Sequence, residues 1–556
     1  MEKLDKEKMS KIKWVIPFVH YLAGVNIWLT HKTTIEYPFG ITAAAYDTGL
    51  SLNAESILFE CMIVIMGLIM VMALWKLLFF CFKMCPKRAI FIFAVSVLVS
   101  VLIVPYNYAF ETDDLLIYIL TKRGIPEYWH GIYQGVLYGG SMIVYMHPAT
   151  ICCMQLAAFL GFFFYAQERI SKLYGAHKSW LVFVGLLFPS ATYVALNPYR
   201  NDINAVLCLW MTGILILDSF EGRKRNKKQI LFLCVALGAM IVYRRENILL
   251  LILFAVVLFV TYHCKAKKTL QYLMVTMLVF GVVLVPQKMG EMKYYGNDYQ
   301  IVNHMNTLQT IMQNENWNTS YKGFEEDLEA VQKIVPYEVI KEDGLAGYRA
   351  YNYFQKKTVN QSMVSKSEQR QFLRATKSIY MHNAVLYLKE RAKMFVASNC
   401  YNSEIVEHTN PDVIQFVYEI RGQYQYNFNE MMYYCQQNSI WNIKFKNDIG
   451  FMLKNWINEY RNCLTESNVW FAGRMCVYMS FCVVTIWMVF IHREKCLLYF
   501  GIGVCEFSIL VAIFLTEPEA RRVDYFSPII YMMAFTSLLM VLEMFATHNM
   551  KYIDEK

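Results

Sequence analysis

Twelve stretches of mainly apolar residues recur along this chain, at about 14–30, 57–82, 89–105, 148–167, 180–196, 205–218, 230–242, 248–262, 270–286, 470–491, 497–515 and 526–545. An α-helix rises about 1.5 Å per residue and a bilayer core is roughly 30 Å thick, so about 20 apolar residues cross it. The recurrence predicts an all-α polytopic membrane protein with about twelve transmembrane helices, several of them shorter than that ideal. Composition agrees, because 56% of the 556 residues are hydrophobic and only 17% are charged, which excludes an ordinary soluble enzyme. The net charge of +9 does not indicate a nucleic-acid partner, since the basic residues fall in short clusters between apolar runs. Fifteen cysteines stand singly or, at Cys152-Cys153, side by side, many within apolar runs as at Cys234, Cys476 and Cys505. They read as small buried hydrophobes, not as a structural zinc site. The lysine-rich 1–13 and the run behind it lack a small-residue cleavage signal and read as a retained anchor.

Orientation follows from the basic turns. Lys3 to Lys13, Lys83/Lys87/Arg88, Arg169/Lys172/Lys178, Arg223 to Lys228, Lys265/Lys267/Lys268 and Arg493/Lys495 all fall on one side if the twelve runs alternate. The positive-inside rule makes that side the cytoplasm and puts both termini there, in a multi-pass protein of the cell (plasma) membrane. The expected organisation is a cytoplasmic 1–13, three spans in 14–105, an outer loop 106–147, six spans in 148–286, a mainly helical extracytoplasmic domain 287–469, three spans in 470–546 and a cytoplasmic 547–556. Within the outer loop, 115–120 and 132–145 are too broken to span and suit helices at the membrane interface, beside the aromatic cluster Tyr128-Trp129-His130. In the extracytoplasmic domain, 324–334 and 367–396 carry helical spacing.

Four outward segments hold most of the charge that departs from the positive-inside pattern. Tyr108-Ala109-Phe110-Glu111-Thr112-Asp113-Asp114 follows the third run; in a helical turn Glu111 and Asp114 share a face and Asp113 points elsewhere. These acids suit a general base, a metal ligand, or the cap and dipole partner of the next helix. Asn197-Pro198-Tyr199-Arg200-Asn201-Asp202 holds an arginine in a tight turn, where its planar fork suits a phosphate or a pair with Asp202. Tyr243-Arg244-Arg245-Glu246-Asn247 puts two arginines in another short outer turn, fit for an anionic ligand or for headgroups. The last turn, 516–525, packs Glu517, Glu519, Arg521, Arg522, Asp524 and Tyr525 ahead of Ser527-Pro528, a helix start that would aim backbone N–H groups at the same cleft. Glu506, mid-way along the eleventh run, is an intramembrane acid with Arg474 as a prospective partner. No glycine-rich phosphate loop or zinc-protease helix occurs, which disfavours a soluble nucleotide-sugar or ATP as substrate.

In their order these motifs resemble the GT-C class of membrane glycosyltransferases, particularly the protein O-mannosyltransferase and aminoarabinose-transferase type. The resemblance rests on Phe110-Glu111-Thr112-Asp113-Asp114, a loop ending His147-Pro148, the turns at Arg200 and at Arg244, and Glu519-Ala520-Arg521-Arg522-Val523-Asp524-Tyr525-Phe526-Ser527-Pro528, which is similar to that group's Glu-Arg-Tyr-Pro pattern. The chain departs from the group in placing its acids after the third run instead of the first, in reading Asp-Asp for Asp-Glu, and in residues inserted between Glu519 and Tyr525.

The resemblance implies a GT-C-like fold and transfer of a sugar from a polyprenyl-phosphate donor to a glycan, lipid or protein acceptor on the outer face. Asp113 or Asp114, supported by Glu111, would be the base, and Arg521 or Arg522, with Arg244, Arg245 and Arg200, would hold the lipid phosphate. Asp202, Glu246, Glu519, Tyr525 and His147 complete the expected site. A divalent cation, Mg²⁺ or Mn²⁺, on Asp113 and Asp114 fits acids facing a phosphate, although arginines can serve without it. Two other readings share the same span count: a polysaccharide polymerase or ligase, and a transporter or flippase. Transporters of that size show symmetric halves and often a long cytoplasmic middle loop, whereas here the long loop is external and off-centre.

Overall fold

The computed structural model describes residues 2–30, 54–83, 98, 100, 117, 118, 120–122, 124–126, 128, 131–187, 198–290, 298–334, 365–400, 444, 448–453, 455, 456, 459, 463, 469–516 and 526–554. Among the described residues all regular structure is helical. In chain order the longer helices are α1 (Glu2–Thr30), α2 (Ala54–Lys83), α3 (Ile132–Val144), α4 (Ala149–Tyr174), α5 (Arg200–Glu221), α6 (Lys227–Tyr243), α7 (Leu250–Val260), α8 (Ala266–Gly290), α9 (Asp298–Met312), α10 (Phe324–Gln332), α11 (Lys366–His382), α12 (Ala384–Cys400), α13 (Val469–Ile491), α14 (Cys496–Thr516) and α15 (Ser527–Asp554). Among the described residues, seven segments are long and apolar enough to cross a membrane: Ala54–Lys76, Ala149–Tyr174, Arg200–Glu221, Ala266–Gly290, Phe471–Ile491, Arg493–Thr516 and Ser527–Ala546.

The expected runs match these helices unevenly. The run at 89–105 lies outside the described residues apart from Leu98 and Ser100, both helical. The run at 180–196 begins as a 3₁₀ segment, Trp180–Leu187. The run at 248–262 opens with the 3₁₀ turn Arg245–Leu249 and continues as an α7 of 11 residues, about 16 Å, which is too short to cross alone. The helix expected over 367–396 is two helices broken at Asn383, whose side chain donates to the Ile379 carbonyl (3.0 Å) and accepts from the Asn318 backbone N–H (2.6 Å). Capping boxes start α6 and α11: Asn226 pairs with Gln229 and Ser365 with Glu368, so each helix begins where its polar cap satisfies orphan N–H groups.

The chain divides into two compact units. The first comprises Met1–Tyr165, Thr192–Val206 and Ile420–Tyr460. Here α3 is buried against α1 and α2. Glycines permit the approach: a Cβ on Gly139 would meet Ile63 at 2.8 Å, one on Gly140 would meet Met66 at 2.8 Å, and one on Gly24 would meet the Ile143 carbonyl oxygen at 2.0 Å. Small residues at such crossings let helices pack where no hydrophobic force separates protein from lipid. Polar ties reinforce the group. Trp75 donates to Nδ1 of His20 (2.9 Å), leaving Nε2 to donate to the Val144 carbonyl (2.9 Å).

The second unit comprises Ala166–Ala191, Leu207–Glu419 and Arg461–Lys556. Its C-terminal helices α13, α14 and α15 pack together, α6 packs on α8, and α7 packs on α14. It also contains a small helical module with its own core, in which Ile301, Leu308, Ile311, Val331, Phe372 and Ile379 are all buried. Beside that core Arg391 and Glu390, 2% and 5% exposed, form an ion pair at 2.8 Å, and Arg391 also donates to the Thr307 hydroxyl at 2.5 Å. The pair neutralises charge that the module encloses.

Candidate functional site

Glu111, Asp113 and Asp114 lie outside the described residues, as do Glu519, Arg521, Arg522 and Tyr525. What the structure does describe in the first unit is the frame around the acidic motif. Residues 117–122, just after the acids, carry Tyr118 and Lys122, both buried. The Tyr118 hydroxyl donates to the Pro148 carbonyl at 2.7 Å, and its ring stacks on Tyr138 of α3 with centroids 4.1 Å apart. The Tyr138 hydroxyl and Gln134 Nε2 both donate to the Pro198 carbonyl, each at 2.9 Å. Each proline carbonyl stands just ahead of a helix start, and its two lone pairs let it take a side-chain donor. Three of the sequence motifs are therefore bound into one group: the segment after the acids, the His147-Pro148 turn and the Pro198 turn.

His147 is fully buried, and its Nδ1 accepts the Ala149 backbone N–H at 3.1 Å. It thus caps the start of α4, and acceptance at Nδ1 leaves the Nε2 position to carry the proton of a neutral ring. Asp202, in the first turn of α5, is 0% exposed, with its backbone N–H donating to the Tyr199 carbonyl at 3.0 Å, while Arg200 is half-buried. An acid in a first helical turn sits where the macrodipole favours negative charge. Asp202 is thus enclosed within the turn that carries Arg200.

In the second unit, Arg244 donates to Glu246 at 3.1 Å, an internal pair with side chains 10% and 29% exposed, and Arg245 is exposed. Asn247, 3% exposed, ties this turn to its surroundings by donating to the Met240 carbonyl (2.8 Å) and accepting from the Cys208 thiol (3.2 Å). The turn is thereby anchored at Asn247, with Arg244 paired to Glu246.

Glu506 and Arg474 are both buried but have different partners. Glu506 accepts from the Thr536 hydroxyl at 2.7 Å, while Arg474 donates to the Asn399 side chain (3.3 Å) and to the Ser398 carbonyl (3.4 Å). The short turn between α13 and α14 makes them antiparallel, and counting along each puts the two residues about 10 Å apart in depth. That separation accounts for the absence of the expected pair.

The densest charge cluster among the described residues went unrecognised in the sequence. Asp218, 0% exposed near the end of α5, accepts from Arg169 Nη2 (3.0 Å), from Arg225 and from the Tyr262 hydroxyl (2.6 Å), and Arg169 also grips Glu221 bidentately. Each arginine looked like one more member of a positive-inside cluster. Only the fold reveals that two of them neutralise acids at the end of α5. Among the described residues no group of three or more His, Cys, Asp or Glu stands ready to hold a metal ion. No family model, no curated protein and no solved structure matches this chain.

Proposed function

We propose that this protein is a polytopic membrane glycosyltransferase of about twelve spans, with both termini cytoplasmic, that moves a sugar from a polyprenyl-phosphate carrier to an acceptor on the extracytoplasmic face. The observation that carries the reading is the bonding of Tyr118, Pro148 and Pro198 into one group through Tyr138 and Gln134, because it binds together segments that only the order of their motifs related in the sequence. A transferase site built from distant loops needs such a rigid frame, since a misplacement of about 1 Å costs on the order of a hundredfold in rate.

In this reading Asp113 or Asp114 takes the proton of the acceptor hydroxyl, the acceptor oxygen bonds to the anomeric carbon, and the bond from that carbon to the phosphate oxygen breaks. Polyprenyl phosphate leaves with the bonding electrons, and Arg521 or Arg522 supplies the positive charge that steadies it, the kind of interaction that carries most of a transfer enzyme's rate. Arg200, Arg244 and Arg245 are further phosphate-holding residues. Mg²⁺ or Mn²⁺ on Asp113 and Asp114 would add Lewis-acid help to the same departure.

The test is transfer by the reconstituted protein from polyprenyl-phosphate-linked hexoses and pentoses carrying a radiolabelled sugar. Asp113→Asn and Asp114→Asn are assayed singly and together, with helix content checked by circular dichroism. Loss of transfer by at least one variant, its fold retained, supports the assignment. Full activity in the double variant removes the base, and no transfer from any such donor removes the reading itself.

A further inference from the structure

Helix α12 does not stand away from the membrane helices. Its Phe395 ring packs against Tyr478 of α13 (5.8 Å between centroids), Phe514 of α14 (5.8 Å) and Phe526 (5.2 Å). Asn399 accepts from both Arg474 (3.3 Å) and the Tyr478 hydroxyl (3.1 Å), and the Tyr387 hydroxyl donates to the Leu515 carbonyl at 3.4 Å. Tyr478 lies nine residues beyond Val469, the first residue of α13, which is about 14 Å along a helix only about 34 Å long. The C-terminal half of α12 therefore lies beside the first two-fifths of an apolar helix, within reach of the depth that lipid occupies.

Beside these contacts the helix carries an exposed apolar stripe. Val385 is 79% exposed, Leu388 53% and Val396 40%, while Glu390, Arg391, Met394 and Ser398 are buried on the other side. At about 100° per residue, Val385, Leu388, Ala392 and Val396 share an arc of roughly 80°, with Lys389 and Lys393, both exposed, along one edge. This is the layout of a helix lying in a membrane interface, with an apolar stripe toward the acyl chains and cations at the phosphates. It also continues the exposed apolar surface of its neighbours, at Met479 and Val483 of α13 and Leu515 of α14.

We propose that α12 is an interfacial helix whose Val385–Val396 stripe sits at the acyl boundary of the bilayer and whose Lys389 and Lys393 bind the phosphates of anionic lipids. The proposal rests on α13–α15 being membrane spans and is independent of the transferase reading. Buried Arg474 gains its rationale from it, because the polar end of α12 supplies oxygens to a guanidinium within a span.

The experiment places a photoreactive benzophenone amino acid at Val385 or Val396 in the full chain, reconstituted in nanodiscs of equimolar phosphatidylglycerol and phosphatidylcholine. Met479 serves as a lipid-facing control, and Glu329 of α10, on the separate module, as an aqueous one. Lipid adducts at Val385, Val396 and Met479 but not at Glu329 are expected, with phosphatidylglycerol favoured on the order of five-fold per lysine and that preference lost in K389Q/K393Q. Adducts at Met479 alone overturn the proposal, as do cross-links between two copies at Val385. No lipid adduct at Met479 overturns the span assignment beneath it. Equal labelling of the two lipids overturns the anionic preference.

Discussion

Tyr118 and Tyr138 stack with ring centroids 4.1 Å apart, and each hydroxyl donates to the carbonyl of a different proline, Pro148 and Pro198. Two loop turns about fifty residues apart are thereby referred to one pair of aromatic rings. Removing a single hydroxyl tests how much that reference matters. Tyr138→Phe keeps the stack and leaves Gln134 on Pro198, so the expected loss is about 1 kcal/mol of stability, while the double variant Y138F/Q134L strands a buried carbonyl and loses about 1–3 kcal/mol more. Thermal unfolding in detergent measures both, and the sugar-transfer assay is expected to fall further in the double variant than in the single one.

Asp218 is the buried centre of an ion cluster with Arg169 and Arg225. Asp218→Asn leaves two guanidiniums short of their carboxylate and is expected to destabilise the second unit by about 3–5 kcal/mol. Arg225→Gln is expected to cost less, since Arg169 and Tyr262 still serve the carboxylate. Midpoints of thermal unfolding rank the two, and equal midpoints would contradict this account.

Gly24 lets α1 touch α3, because a Cβ there would lie 2.0 Å from the Ile143 carbonyl oxygen. That oxygen belongs to backbone and cannot turn aside. Gly24→Ala is expected to push the two helices apart at a cost of about 1–3 kcal/mol, whereas Gly281→Ala, with open space around its Cα, is expected to change stability little. Detergent-resistant folded fraction distinguishes them.

Burial, and the Arg391 guanidinium beside it, hold the His304 imidazole below the usual histidine range. The folded module keeps this ring neutral, so below about pH 6.5 the unfolded chain takes up a proton that the folded one refuses, and stability falls with pH. The fall is expected not to exceed about 1.4 kcal/mol per pH unit and to end at the lowered folded value. Hydrogen exchange of α9 and α11 across pH 5–7, compared with His304→Gln, reads it. The variant is expected to flatten the profile.

Periodicity and capping are local properties, and they carried much of the fold. The apolar runs at 270–286, 470–491 and 497–515 became α8, α13 and α14 within a few residues, and the acidic start at Phe324 became α10. Asn383 was harder to read, since its break depends on the Asn318 N–H that meets its side chain from 65 residues away. The burial of the 132–145 stretch was not legible in its own mixed composition, because Gly24 and Gly67 of other helices make the room for Ile143.

The sequence by itself determined that this chain is helical and rich in membrane-crossing segments, because hydropathy and helical period are written residue by residue. Which partners the buried charges find was decided only by the tertiary structure. Arg169 and Asp218 lie 49 residues apart, and Arg474 and Asn399 75, so their pairing depends on how helices pack and not on any spacing along the chain.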